Sequence, residues 1–153
     1  MPLEITSKRP WRVVVDANAW VSRYLTPGGA VAARLRRVVR SARFEVIFSE
    51  ELRNEVSEVI QRDKFRRFIK PEELRRYLRQ VRSYKLYRVT SVVTACRDPK
   101  DNYLLALSLD SQADYLLTGD KDLLVLQRFG TTEIITWTQA NSLFGLDERR
   151  PKK

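Results

Sequence analysis

The sequence predicts an α/β fold around a central parallel sheet, and three observations carry that reading. Short apolar segments alternate with longer amphipathic ones along most of the chain, the pattern of successive β-α units. The segment Arg12-Val-Val-Val-Asp16 is too hydrophobic for a strand wetted on one face, so it reads as a central parallel strand. The 153 residues amount to about one domain, with no Gly/Ser linker, internal repeat or low-complexity tract. A single domain over residues 1–153 is expected, with its core at about 12–145 and flexible termini, residues 149–153 fraying.

The elements follow in order. Residues 17–25 start a helix that Pro27-Gly28-Gly29 breaks. Helical spacing resumes over 30–41, with Val31, Leu35, Val38 and Val39 on the apolar stripe and Arg34, Arg36, Arg37 and Arg40 on the rest. Residues 44–48 form the second strand. Ser49 has the chemistry of an N-cap, and Glu50 and Glu51 follow where the helix dipole favours acids. That helix runs to about Gln61 and buries Leu52, Val56, Val59 and Ile60. Pro71 opens another helix, to about Ser83, followed by an extended stretch over 85–93. The last third repeats the alternation: helix 101–110, strand 115–118, helix 121–129, strand 132–136 and helix 138–144.

Composition limits the chemistry. There is no histidine and one cysteine, Cys96. Histidine bases, Ser-His and Cys-His nucleophiles, His-liganded zinc and internal disulfides are therefore excluded. Any catalysis falls to carboxylates, with or without a metal ion. Residues 1–11 hold no apolar signal core, and the apolar runs fall far short of the ~20 residues that span a bilayer. No membrane association is expected, and the lone thiol suits a reducing, cytoplasmic setting.

The net charge is +10, and it is unevenly placed. Residues 1–90 carry 21 basic and 10 acidic side chains, whereas residues 91–153 carry 8 and 9. Of the 29 cations, 21 are arginine, whose planar fork grips phosphate in two places. A solvated helix face accounts for any one of them, but an excess over a whole domain favours a polyanion, most often nucleic acid. Arg34, Arg37, Arg76 and Arg79 are the candidate RNA contacts. Tyr77, Tyr84 and Tyr87 interleave with arginines and could stack on bases, although core or dimer packing is the commoner role of such tyrosines.

The acids are the most informative residues. Ligands of parallel α/β sheets gather beyond the carboxyl ends of the strands. Asp16 ends the first strand, and Asp120 follows the strand over 115–118 in the same position. Asp98 and Asp101 flank Pro99 at the start of the preceding helix, and Glu55 borders the apolar stripe of its own helix. Each has an ordinary alternative. Asp101 could cap its helix, Asp98 could make a turn, Glu55 could pair with Arg62, and Asp122 could be a first-turn helix acid. Asp16 is the hardest to dismiss, because a buried strand ending in a carboxylate demands a strong partner. Clustered acids repel one another, and a divalent cation relieves that; oxygen donors alone favour Mg²⁺ or Mn²⁺. Such an ion beside a basic surface suggests phosphodiester hydrolysis.

Four blocks in order complete the pattern: Val13-Val-Val-Asp16-Ala-Asn18-Ala-Trp-Val-Ser22; Phe48-Ser49-Glu50-Glu51-Leu52-Arg-Asn-Glu55; Cys96-Arg97-Asp98-Pro99-Lys100-Asp101-Asn102; and Ala113-Asp114-Tyr115-Leu-Leu-Thr118-Gly119-Asp120-Lys121-Asp122. Together they resemble the PIN domain family, and within it the bacterial branch of toxin components of toxin–antitoxin systems. The resemblance covers about residues 12–145. It implies a three-layer α/β/α sandwich with a central parallel sheet and metal-dependent cleavage of single-stranded RNA. By position it implies Asp16, Glu55, Asp101 and Asp120 as catalytic and metal-binding acids, with Asp98 and Asp122 as auxiliaries. Asn18, Ser49 and Thr118 would hydrogen-bond around them. The Thr that commonly follows the first Asp is replaced by Ala17, which removes a hydroxyl but no carboxylate. A homodimer and a cognate antitoxin are the implied protein partners.

The leading expectation is a Mg²⁺/Mn²⁺-dependent endoribonuclease acting as a toxin. The alternative is a non-catalytic RNA-binding or RNA-processing accessory module on the same fold. Phosphoryl transfer through an aspartyl phosphate fits poorly, because Asn18 stands where an Asp-x-Asp pair needs its second acid.

Overall fold

The structure, a computed structural model, describes residues 9–147. The fraying expected of residues 149–153 lies outside them. Among the described residues five strands form one sheet, in the order β2-β1-β3-β5-β4. These are β1 (Trp11–Val15), β2 (Phe44–Val46), β3 (Tyr115–Leu117), β4 (Arg128–Phe129) and β5 (Thr132–Ile135). β1 lies parallel to β2 and β3, and β3 parallel to β5. Val13, Val14 and Val15 are all fully buried, so helices cover both faces of the central strand. The result is the expected α/β/α sandwich.

The helices are α1 (Ala17–Leu25), α2 (Ala30–Arg40), α3 (Glu50–Ile60), α4 (Asp63–Arg66), α5 (Pro71–Ser83), α6 (Asn102–Ser111), α7 (Lys121–Leu124) and α8 (Trp137–Phe144). A single 3₁₀ turn, Pro99–Asp101, leads into α6. Local chemistry sets the helix starts. The Asp16 carboxylate accepts from the Ala19 N–H to begin α1, the Ser49 hydroxyl accepts from the Leu52 N–H to begin α3, and Pro71 opens α5. Thr136 and Gln139 exchange hydrogen bonds in a capping box that starts α8.

The core is built where the apolar stripes meet the sheet. Trp20 packs on Phe48 at 4.8 Å, and Phe48 stacks on Tyr84 at 5.0 Å. Tyr77 is buried and donates its hydroxyl to the Trp20 carbonyl, so it belongs to the core. Tyr87 alone of the three interleaved tyrosines is exposed.

The sheet departs from the expected all-parallel form at one edge. The helix expected over 121–129 ends at Leu124, and β4 returns antiparallel to β5. Gln127 takes a left-handed conformation (φ 61°), and Gly130 (φ 60°) supplies the two-residue hairpin turn that a continuing helix cannot accommodate. The second strand is also shorter than expected, ending at Val46. The extended stretch over 85–93 joins no ladder; Phe48 and Leu86 make one isolated bridge instead. Farther along, the Asp110 carboxylate holds the strap in place by accepting the Thr90 and Ser91 N–H groups at 2.6 and 2.9 Å. The short helix α4 has no counterpart in the sequence reading.

Candidate active site

Strand order reverses at β1, since β2 lies on one side of it and β3 on the other. The carboxyl ends of β1 and β3 therefore flank the switch point where α/β sheets open a crevice. Val15 pairs in register with Leu117, so the next residues, Asp16 and Thr118, emerge side by side.

Asp16 is only 6% exposed. Its Oδ1 accepts from the Ala19 N–H at 3.0 Å, and its Oδ2 accepts from the fully buried Thr118 hydroxyl at 2.5 Å. The same Thr118 oxygen accepts from the Asp120 N–H at 3.0 Å. One hydroxyl thus joins the acids that end β1 and follow β3. Asp120 caps α7, its Oδ1 accepting from the Asp122 N–H at 2.9 Å. Burial pushes the Asp16 carboxyl above its ordinary range, against the pull of the Thr118, Ala19 and Gly119 donors.

Asp101 enters from the 3₁₀ turn. Its Oδ2 is buried with no hydrogen-bond donor, and its side chain makes no cap to α6. Burial, then the facing Asp120 carboxylate and the charges of Asp98 and Asp16, push its carboxyl up to about 7. A carboxylate oxygen buried without a donor, against a second carboxylate, is an environment that a cation would relieve.

These acids border a cleft of about 580 Å³ that Asp16, Asn18, Glu55, Asp98, Asp101 and Asp120 line. α3 contributes more than expected: Glu51, Asn54, Glu55 and Glu58 all face the cleft. Their spacing of three and four residues was a readable sign of one shared helix face. Tyr103 lines it too, its hydroxyl pKa raised by burial and by the charges of Glu55 and Asp101. Lys100 is the lining cation.

The remaining candidates sit farther out. Asp122 is a first-turn acid of α7 and pairs with Arg97 at 3.1 Å. Asp98 lines the cleft while its Oδ1 accepts from the Lys100 N–H at 3.1 Å. Ser49 caps α3 and reaches the cleft only through the helix it starts. Glu55 is not drawn to Arg62, which lies 3.9 Å from Glu58 instead. None of Arg34, Arg37, Arg76 and Arg79 lines this cleft. Arg34 makes a bidentate pair with Asp147 at 2.8 and 2.9 Å, and Arg76 and Arg79 are exposed on α5.

Among the described residues, no group of three Asp, Glu or Cys side chains stands close enough to hold a metal ion as placed. The orphaned Asp101 oxygen and the all-oxygen donor set nevertheless suit a hard divalent cation in kind.

The PIN domain family model matches residues 12–122, most of the chain. The chain belongs to the PIN domain family. The match ends at Asp122, so it takes in Asp16, Glu55, Asp98, Asp101 and Asp120. PIN domains are generally nucleases, and membership gives this chain a nuclease-type fold with a hydrolytic role on nucleic acid. No curated protein and no solved structure matches the chain. Among the described residues, no helix is long and apolar enough to cross a membrane.

Proposed function

We propose that this PIN domain is a Mg²⁺- or Mn²⁺-dependent endoribonuclease. The observation that carries the reading is the buried, donorless Oδ2 of Asp101 facing Asp120, beside Asp16, at the switch point of the sheet. Asp16, Asp101 and Asp120 would hold the ion, with Glu55 closing the set from α3. When bound, the ion supplies an acidified water and neutralises charge on the leaving oxygen. The chain's own residues prepare the site. Thr118 and the Ala19 N–H fix both oxygens of Asp16, and the Asp122 N–H fixes one oxygen of Asp120. Lys100 places a cation on the cleft wall to meet a phosphate. Arg76 and Arg79, exposed on the basic helix α5, are proposed as outer RNA contacts.

The resemblance to bacterial toxin components supports a toxin role, with an antitoxin that occupies the cleft, and a homodimer. The unpaired Cys96 supports a cytoplasmic setting.

The test is cleavage of pooled RNA with sequencing of the new ends. Mn²⁺ should support cleavage, EDTA should abolish it, and Asp16→Asn and Asp120→Asn should each lower it at least a hundredfold while circular dichroism stays native. Cleavage that survives EDTA and both substitutions overturns the proposal. Tight RNA binding with no turnover in Mn²⁺ would favour the accessory-module reading, which the open spacing of the acids also suits.

A further inference from the structure

A second cleft, of about 680 Å³, opens on the opposite edge of the sheet, near the amino ends of β1 and β2. Five residues of β1, at about 3.3 Å each, separate that edge from the acidic cleft by roughly 17 Å. Arg36, Arg37, Arg40 and Arg43 line it, and no carboxylate does. Two of these arginines are held by carbonyls. Arg36 donates to the Pro27 oxygen at 2.9 Å, and Arg43 donates to the Phe144 oxygen at 3.0 Å. Such bonds orient a guanidinium without neutralising it. Among the described residues, none of Arg36, Arg40 and Arg43 forms an ion pair, whereas Arg34 beside them is matched by Asp147.

An aromatic platform continues from the cleft. The Arg43 guanidinium lies 5.4 Å from the centre of the Phe44 ring, Phe44 packs edge-on to Phe144 at 5.0 Å, and Phe144 meets Trp11 at 6.2 Å. The Trp11 N–H donates to the Arg43 carbonyl at 2.7 Å, which ties the two ends together. Trp11 is 40% exposed, while the other two tryptophans, Trp20 and Trp137, are buried.

We infer that this edge is a second binding surface for single-stranded RNA, in which the arginines hold phosphates and Trp11 stacks on a base. The inference rests on the proposed RNA substrate for its choice of polyanion. Cationic grooves that run onto exposed aromatic rings are what single strands require, since every base offers a flat face. An acidic protein segment would use the arginines but leave Trp11 without a role. An RNA spanning both edges gains avidity, because binding at one raises its effective concentration at the other.

The test uses the full chain with a 20-nucleotide polyuridine RNA in EDTA. Because Trp11 is the exposed tryptophan, stacking should quench the acrylamide-accessible part of the emission, and Trp11→Phe should remove that signal. Arg36→Gln with Arg40→Gln should weaken binding about tenfold and flatten the log Kd against log salt slope by about 1.4, the value for two lost single-strand phosphate contacts. Thermal melts check that both variants fold, since Arg36 is half-buried and its replacement gives up the bond to the Pro27 carbonyl, while Trp11→Phe replaces one ring by another. RNA binding with no tryptophan quench and an unchanged double variant overturns the inference. Poly-glutamate competing as well as RNA, charge for charge, also overturns it, in favour of an acidic protein partner. If the quench occurs but Mn²⁺ supports no cleavage, the nuclease reading of the acidic cleft fails and this surface stands.

Discussion

The two edges of the sheet treat their charges in opposite ways. At the amino end, carboxylates have arginine partners: Asp114 with Arg9, Glu45 with Arg12, Glu133 with Arg128 and Asp147 with Arg34. The Arg9 fork and the Arg12 N–H hold the Asp114 carboxyl below its ordinary range even though burial pushes it the other way. At the carboxyl end, Asp16, Asp101 and Asp120 converge on each other, and burial and mutual repulsion raise Asp16 and Asp101. Both edges belong to one sheet, so the difference is not imposed by the fold. Paired acids stabilise; unpaired ones store a repulsion that a ligand can discharge.

The comparison can be broken most directly at Asp101. Its carboxyl is at 3.8 when unperturbed and about 7 in the fold, so the native state disfavours the charged form. The contribution of Asp101 to stability is therefore most favourable below about pH 4, falls as pH rises from 4 to 7, and stays reduced above that. Asp101→Asn should melt higher than the native chain in EDTA, by a margin that widens between pH 4 and 7. Saturating Mn²⁺, at a hundred times its Kd, should stabilise the native chain by about 2.7 kcal/mol and leave Asp101→Asn nearly unmoved. A pH-independent margin would show that the repulsion is not there. Next in size is Thr118→Val, which keeps the shape but strips a donor from Asp16 and an acceptor from the Asp120 N–H; urea titration should show a loss of about 1–3 kcal/mol.

The amino-end substitutions should do less. Asp114→Ala removes the acceptor for Arg9 and for the Arg12 N–H, and a loss of about 1 kcal/mol is expected in the same titration. Arg128→Ala breaks only an exposed pair and should change stability by at most about 0.5 kcal/mol. An Arg128 effect as large as that of Thr118 would erase the distinction between the edges.

What the sequence revealed depended on how local the cause was. Asp16 was legible because three valines precede it, and α5 because Pro71 fixes its start. Thr118 was legible only through the family pattern; its bond to Asp16 crosses 102 residues. The residues of β4 read as the end of a helix because Leu123, Leu124 and Leu126 continue a helical rhythm, and the turn at Gly130 decides against it, whereas β5 reads as the strand it is. Arg34 was read as an RNA contact because its partner, Asp147, lies 113 residues away and no local pattern points to it. Glu51 and Glu58 share the face of Glu55 by spacing, but each has an ordinary local explanation: Glu51 as a first-turn acid in the helix dipole, and Glu58 as the i,i+4 neighbour of Arg62.

The hydrogen bonds around Thr118 also have a direction. The Asp120 backbone N–H can only donate, so the Thr118 oxygen receives there and sends its own proton on to Asp16. The Ala19 N–H points its proton at the other Asp16 oxygen. Both ends of that side chain are met by protons; a carboxamide can accept from the Ala19 N–H with its oxygen and donate to the second lone pair of Thr118, but only if the hydroxyl turns its own proton away. Position 16 thus favours a carboxylate by the polarity of its surroundings before any cation arrives. Asp120 has one fixed oxygen and one open, so asparagine there disturbs the scaffold less and gives the cleaner separation of chemistry from folding.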